Sequence, residues 1–303
     1  MLLSSILQEM GDIQFECINE RAFDTLSIMI PGRDEKERLV FVENEDFAKQ
    51  AIREKVNMVL TRKQLVGAFE GTGIGVCVVE QPCETFYRLH NYLSDIDSYK
   101  GVCFETTFGT NCDISDQAVI SKKNVRIGNN VKIEPFVRIY ENVIIDDNVE
   151  IRSGSMIGCC GFMIKDFDER MYEMKHVGWL HIFEGVTIFN NCCVDRGVFP
   201  YEKTTIGKNS KIGSLTHISH CDHIGERVII PTSACINGFT DIGNGTWVGP
   251  ASTVSNILRI GDNADLTIGS VVVSNIKKGG RVSGNFAIDH NKHLKNHMEI
   301  LRK

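Results

Sequence analysis

A chain of 303 residues, 42% hydrophobic and 24% charged, has the make-up of a globular protein with one large domain or two smaller ones. Its net charge of −6 gives no general basic footprint, which argues against nucleic acid as a partner. No run of about 18 apolar residues marks a membrane span. The opening "MLLSSILQEMGD" lacks the basic flank and apolar core of a signal peptide, so the expected location is the cytoplasm. The cysteines include no C-x-x-C, and the adjacent pairs at 159–160 and 192–193 cannot easily bridge internally, so reduced thiols are expected.

Residues 1–104 read as a small α/β domain. Helix-like segments ("LSSILQEM", "EDFAKQAIREK", "ETFYRLHNYLSDI") alternate there with short apolar runs ("DTLSIMI", "RLVFVEN", "VNMVLT", "IGVCVVE"). A different grammar follows over 105–286. Aliphatic residues recur every sixth place at Ile127, Ile133, Ile139, Ile145, Ile151 and Ile157, and again from Ile206 through Ile212, Ile218 and onward to Val272. A small or β-branched residue stands two places before most of them. This six-residue period is neither helical nor a plain alternating strand; three hexads close a triangular coil, and stacked coils make a left-handed parallel β-helix. Between the two runs the ladder resumes at Ile182, Ile188 and Val194, and Pro200 holds the next place before Ile206. The segment 158–181 has no inward ladder and reads as an excursion loop, where binding residues collect. Residues 287–303, with Lys292, Lys295, Arg302 and Lys303, form a short polar helix with a basic side, either a solvated cap or a dock for an acidic partner. The fold class is therefore mainly β: a hexapeptide-repeat coil with an α/β domain before it and a helix after it.

The stretch "THISHCDHIG" places His217, His220 and His223 at steps of three. The six-residue register sends His217 and His223 to consecutive faces of the triangle and leaves His220 at the corner between them. Three diverging imidazoles of one chain do not converge on a tetrahedral metal, so no metal site is expected. Eighteen residues on from His220 stands Gly238, and eighteen further Asn256, so the three stack at one corner. A histidine beside an unshielded glycine N–H supplies a base near neutral pH and an oxyanion donor, the pair that acyl transfer needs. A solvated turn histidine under a tight-corner glycine would give the same spacing.

The motifs "GCCGF", "NNCCVDRGVF", "LTHISHCDHIG" and "CINGFTDIG" resemble the UDP-3-O-acylglucosamine N-acyltransferases of lipid A and lipopolysaccharide synthesis, over most of the chain. The resemblance implies a general base at His220 and an oxyanion donor in the backbone of Gly238. It implies a uridine-binding N-terminal domain in which Phe41 and Phe47 of "FVENEDF" sandwich the base while Asn44 reads its edge. Phe162 of the loop, Asp195 and Arg196 of the D-R-G coil, His217 and Asn256 fall among the implied substrate-binding residues. A homotrimer with sites between subunits is implied as well, with a nucleotide sugar and an acyl carrier protein or CoA thioester as co-substrates and no tightly bound cofactor. Cys221 replaces the family's asparagine, Phe47 a tyrosine, and the later glycine–histidine pair is absent, while "GPASTVSNILRIG" and "VSGNFA" look more like sugar acetyltransferases. The expected function is N-acyl transfer to a nucleotide-linked amino sugar. The alternatives are an acetyl-CoA-dependent sugar O- or N-acetyltransferase, a metalloenzyme like the γ-class carbonic anhydrases, or a coil that binds sugar nucleotides without chemistry.

Overall fold

The computed structural model describes residues 1–30, 37–284 and 290–301. The N-terminal part holds a five-stranded sheet: β1 (Phe15–Asn19), β2 (Thr25–Leu26), β3 (Arg38–Val42), β4 (Met58–Thr61) and β5 (Gly75–Val79), in the order β1-β5-β4-β3-β2. All neighbours are parallel except β1, which pairs antiparallel with β5. The edge strand β1 lay outside the sequence reading, because "FECIN" is short and half-exposed and lacks the apolar run that marked the others. Helices α1 (Leu3–Met10), α2 (Glu45–Arg53) and α3 (Pro82–Leu93) cover the sheet, close to the expected segments.

From Thr107 to Val282 the chain winds into the expected left-handed parallel β-helix. Its three faces are parallel sheets of nine, eight and eight strands. Ile127, Ile145, Ile182, Ile206 and Ile224 stack on one face, and Ile157, Val194, Ile218, Ile236 and Val254 on another, all buried. Each such side chain contributes about 1.5–3 kcal/mol by burial, so this single column-packed core outweighs the weak propensities of its two-residue strands. At the corners one residue per turn takes a left-handed conformation, and asparagine fills many of these places (Asn130, Asn148, Asn191, Asn209) because it bears that backbone at low cost.

Two features depart from the sequence reading. Pro200 is no ladder residue: Ile182 pairs with Ile206, and Val194 with Ile218, so this coil carries six extra residues. The insertion equals one hexad in length, so the phase of the pattern survived while the count of strands did not. Val198, Phe199 and Pro200 instead leave the coil and are buried against the N-terminal domain, with Phe199 edge-on to Phe86 at 5.8 Å and to His90 at 4.8 Å. The excursion expected at 158–181 is shorter in the structure: Cys159 still belongs to the coil strand Met156–Cys159, and Trp179–Ile182 is again a coil strand whose Leu180 is buried in the coil core, while the loop between them contains an antiparallel hairpin, Ile164–Phe167 with Arg170–Glu173. Its far end is anchored by His90, whose Nε2–H donates to the Lys175 carbonyl at 2.8 Å while Nδ1 accepts from Tyr99 Oη at 3.1 Å. The C-terminal helix, His290–Leu301, presents exposed Lys292 and Lys295; Arg302 and Lys303 lie outside the described residues. Among the described residues no helix is long and apolar enough to cross a membrane.

Candidate active site

His220 follows the short strand His217–Ile218 at a coil corner. Cys221 takes the left-handed place there, at φ 57°, where other corners have asparagine. Asp222, fully buried, closes the corner by accepting from Ser219 N–H at 3.0 Å and, one coil further, from Thr240 N–H at 2.9 Å. The corner is thus tied both to itself and to the coil that carries Gly238.

The hydrogen bonds fix which way the imidazole works. The Ser219 hydroxyl donates to Asp195 Oδ2 at 3.4 Å, so its oxygen is left to accept from His220 Nδ1–H at 3.2 Å. That tautomer puts the lone pair on Nε2. Nε2 faces Gly238: a Cβ at residue 238 would stand 2.6 Å from it, so only glycine lets the coil pass this close. The N–H groups on either side, Asn237 and Phe239, are taken by the carbonyls of Val254 and His220. Gly238 N–H has no acceptor among the described residues, the state required of an oxyanion donor. Burial, opposed by the Asp195 charge, pulls His220 down to about 4, below the near-neutral base expected from the sequence, so the ring is neutral at pH 7 with its lone pair available.

The sequence reading missed His176. It comes from the excursion loop, is 1% exposed, and stands edge-on to His220 at 5.0 Å. Its Nδ1–H donates to the Met174 carbonyl at 3.0 Å, and its Nε2 is buried with no partner among the described residues. Burial holds it at about 3, again neutral. Gly161, at the start of the loop, lies between these groups; a Cβ there would overlap His220 Nδ1 and fall 2.7 Å from Asp195 Oδ2. Neither Ser219 nor His176 carries a motif, because their roles arise from the coil corner and the loop closing over it.

Asp195, 1% exposed, bonds His217 Nε2 at 3.0 Å, and this pairing pushes His217 up to about 10. His223 is paired on a different face with Asp241 at 3.2 Å, so the three histidines diverge as their register requires.

A cleft of about 820 Å³ opens over this corner between the coil and the N-terminal domain. It brings together His217, His220, Gly238 and Asn256 on the coil side with Phe41 and Phe47 on the domain side, and Phe162 from the loop. Phe41 packs on Phe86 at 5.1 Å, whereas Phe47 is 42% exposed and is no helix-core residue. Tyr87, Met163 and the hairpin residues Ile164 and Lys165 also line the cleft and were not singled out in the sequence. Three expected residues lie elsewhere. Asn44 caps α2, its Oδ1 accepting from Phe47 N–H at 2.9 Å. Asp195 sits behind His217. Arg196 turns away to the Glu141 carbonyl at 3.1 Å.

The repeat and the three-faced coil define a hexapeptide-repeat β-helix protein, and residues 124–159 match the family model described as bacterial transferase hexapeptide (six repeats). The particular likeness is to proteins named UDP-3-O-acylglucosamine N-acyltransferase: one from Caulobacter sp. (strain K31) is 33% identical over 46% of this chain, and one from Wolinella succinogenes is 30% identical over 54%. The chain spans 41% and 51% of the length of those two relatives. Among solved structures, a UDP-N-acetylglucosamine acyltransferase from Campylobacter jejuni shares the fold, with a TM-score of 0.53 at 22% identity over 64% of this chain and 79% of that one. The resemblance read from the motifs therefore stands over about half of the chain, 46% and 54% for these two relatives, rather than over most of it.

Proposed function

We propose that this protein transfers an acyl group from a thioester to the amino group of a nucleotide-linked sugar. The observation that supports this most is His220 Nε2, with its lone pair toward the cleft, placed beside a glycine N–H that has no acceptor among the described residues. The sugar amine attacks the thioester carbonyl; His220 Nε2 takes the ammonium proton and Gly238 N–H holds the oxyanion. Collapse breaks the C–S bond, and the departing thiolate takes the amine's former proton from the imidazolium, leaving an amide and a free thiol. Each partner is worth about 100-fold or more in rate.

Residues 1–104 bind the nucleotide in this reading, with Phe41 and Phe47 as apolar walls for the base, and residues 105–286 carry the chemistry. Asp195 and Ser219 hold the His220 tautomer rather than touch substrate. The exposed Lys292 and Lys295 within 287–303 suit an acidic acyl carrier protein as donor. A cytoplasmic homotrimer belongs to the same reading; Ile229 and Trp247, adjacent in register and 43% and 41% exposed, suit a covered face.

The test is incubation of the protein with acetyl-CoA, long-chain acyl-CoA and acyl carrier protein thioesters, each beside UDP-amino sugars and UDP-sugars bearing hydroxyls only. Amide formation supports the proposal and names the donor. Ester formation alone would replace it with O-acyl transfer.

A further inference from the structure

Behind His217, on the outward side of the same coil face but buried or half-buried, three chemically matched donors meet. Cys193 and Asp195 flank the inward Val194 on one strand and so share its outer side. Cys159 comes from the strand beside it, Met156–Cys159, whose pairing with Cys193–Asp195 shifts register between Ile157 and Cys159. The extra residue is Gly158, at φ 78°, and a Cβ there would overlap Val143 Cγ2. Such bulges re-aim a side chain beside a site; this one aligns Cys159 with Asp195.

The result is a compact triangle. Cys159 Sγ is 3.2 Å from Cys193 Sγ and 3.3 Å from Asp195 Oδ1, and Cys193 Sγ is 3.8 Å from the same oxygen. With metal–sulfur and metal–oxygen bonds of about 2.3 and 2.1 Å, a tetrahedral zinc ion spaces such donors by about 3.6–3.8 Å. A shift of Cys159 Sγ that opens the sulfur pair by roughly 0.5 Å and its gap to Asp195 Oδ1 by roughly 0.3 Å therefore completes the set. The two carboxylate oxygens are divided between tasks: Oδ1 faces the sulfurs, while Oδ2 takes bonds from His217 and Ser219. Ligating carboxylates are held in this way by outer partners.

We propose that Cys159, Cys193 and Asp195 bind one soft divalent cation of the zinc class, with water in the fourth position. The ion joins the strand that leads into the excursion loop to the strand that carries Asp195, and so fixes Gly161 over the inner edge of His220. It is a clamp on the loop, joined to the cleft histidines only through Asp195 Oδ2 and its bonds with His217 and Ser219. The proposal stands apart from acyl transfer: metal content reads it whether or not the protein has that activity.

The experiment uses the whole chain, reduced with a non-chelating phosphine, offered Zn²⁺ alone and desalted. About one zinc per chain is expected to remain, and Cys159→Ser with Cys193→Ser should lose nearly all of it while Cys235→Ser retains it. Co²⁺ offered instead should give thiolate-to-metal absorption in the near ultraviolet and the visible bands of a tetrahedral ion, in wild type and without need of any variant. Failure of the reduced wild type to retain zinc, or zinc retained equally by the double variant, would overturn the proposal. A Cys159–Cys193 disulfide recovered from zinc-loaded protein would overturn it too, because the sulfurs would then be bonded to each other.

Discussion

His220 and Gly238, one coil apart, approach so closely that a methyl group on Gly238 would lie 2.6 Å from the imidazole Nε2 and 2.9 Å from Cδ2. Gly238→Ala should therefore displace the ring or block its lone pair while leaving the coil wound, since Gly238 does not take a left-handed conformation that only glycine would favour. The expected result is a fall of about 100-fold in kcat with little change in KM for the nucleotide sugar. Steady-state kinetics with a circular dichroism control check it.

Phe47 offers the cleft an exposed aromatic face. If it stacks on the base, Phe47→Ala should weaken binding of uridine nucleotides by about 1–3 kcal/mol, roughly 5- to 150-fold. Phe47→Tyr should keep that affinity. Calorimetric titration with UDP reads both, and unchanged affinity in the alanine variant would remove Phe47 from the site.

Cys221 lies one residue after His220, yet its thiol is 2% exposed, donates to Glu202 Oε2 at 3.0 Å and accepts from Val198 N–H at 3.3 Å. It does not line the cleft. Cys221→Ser should keep activity within about tenfold, because transfer from thioester to amine is direct. Abolished turnover in a folded serine variant, with an acylated Cys221 seen by mass spectrometry in the wild type, would instead show a covalent intermediate.

His90 couples stability to pH. It is fully buried between Tyr99 and the Lys175 carbonyl, with the Lys175–Asp95 ion pair nearby, and burial lowers it to about 4. Its unfolded value is near 6.5, so between these limits the unfolded chain binds more protons and stability falls as pH drops. At pH 5 the loss from this group is about 2 kcal/mol relative to pH 7. Denaturant titrations at the two pH values should show a difference about 2 kcal/mol smaller in His90→Gln, and an unchanged difference would contradict the assignment.

The coil was legible because its core repeats a single environment, so that each sixth residue answers to the same burial. The same regularity hid the insertion at 197–202, whose length matches one hexad and whose Phe199 serves the domain contact rather than the ladder. His220 and Gly238 could be placed from the eighteen-residue return of the coil alone. His176 could not, since a lone histidine in a loop has no period to locate it, and Asp195 and Arg196 turned out to lie behind the cleft rather than in it. Asn44 likewise serves the helix it begins; a short polar side chain before "EDF" is a cap by local chemistry, whatever else its neighbours do.

The most direct measurement is product formation by His220→Ala beside the wild type, using acyl thioester and UDP-amino sugar at saturating concentrations, with UDP affinity and thermal unfolding measured on both. The account predicts amide product from the wild type and a loss of about 100-fold or more in the variant, with nucleotide binding preserved. A folded His220→Ala protein that turns over at the wild-type rate would contradict it.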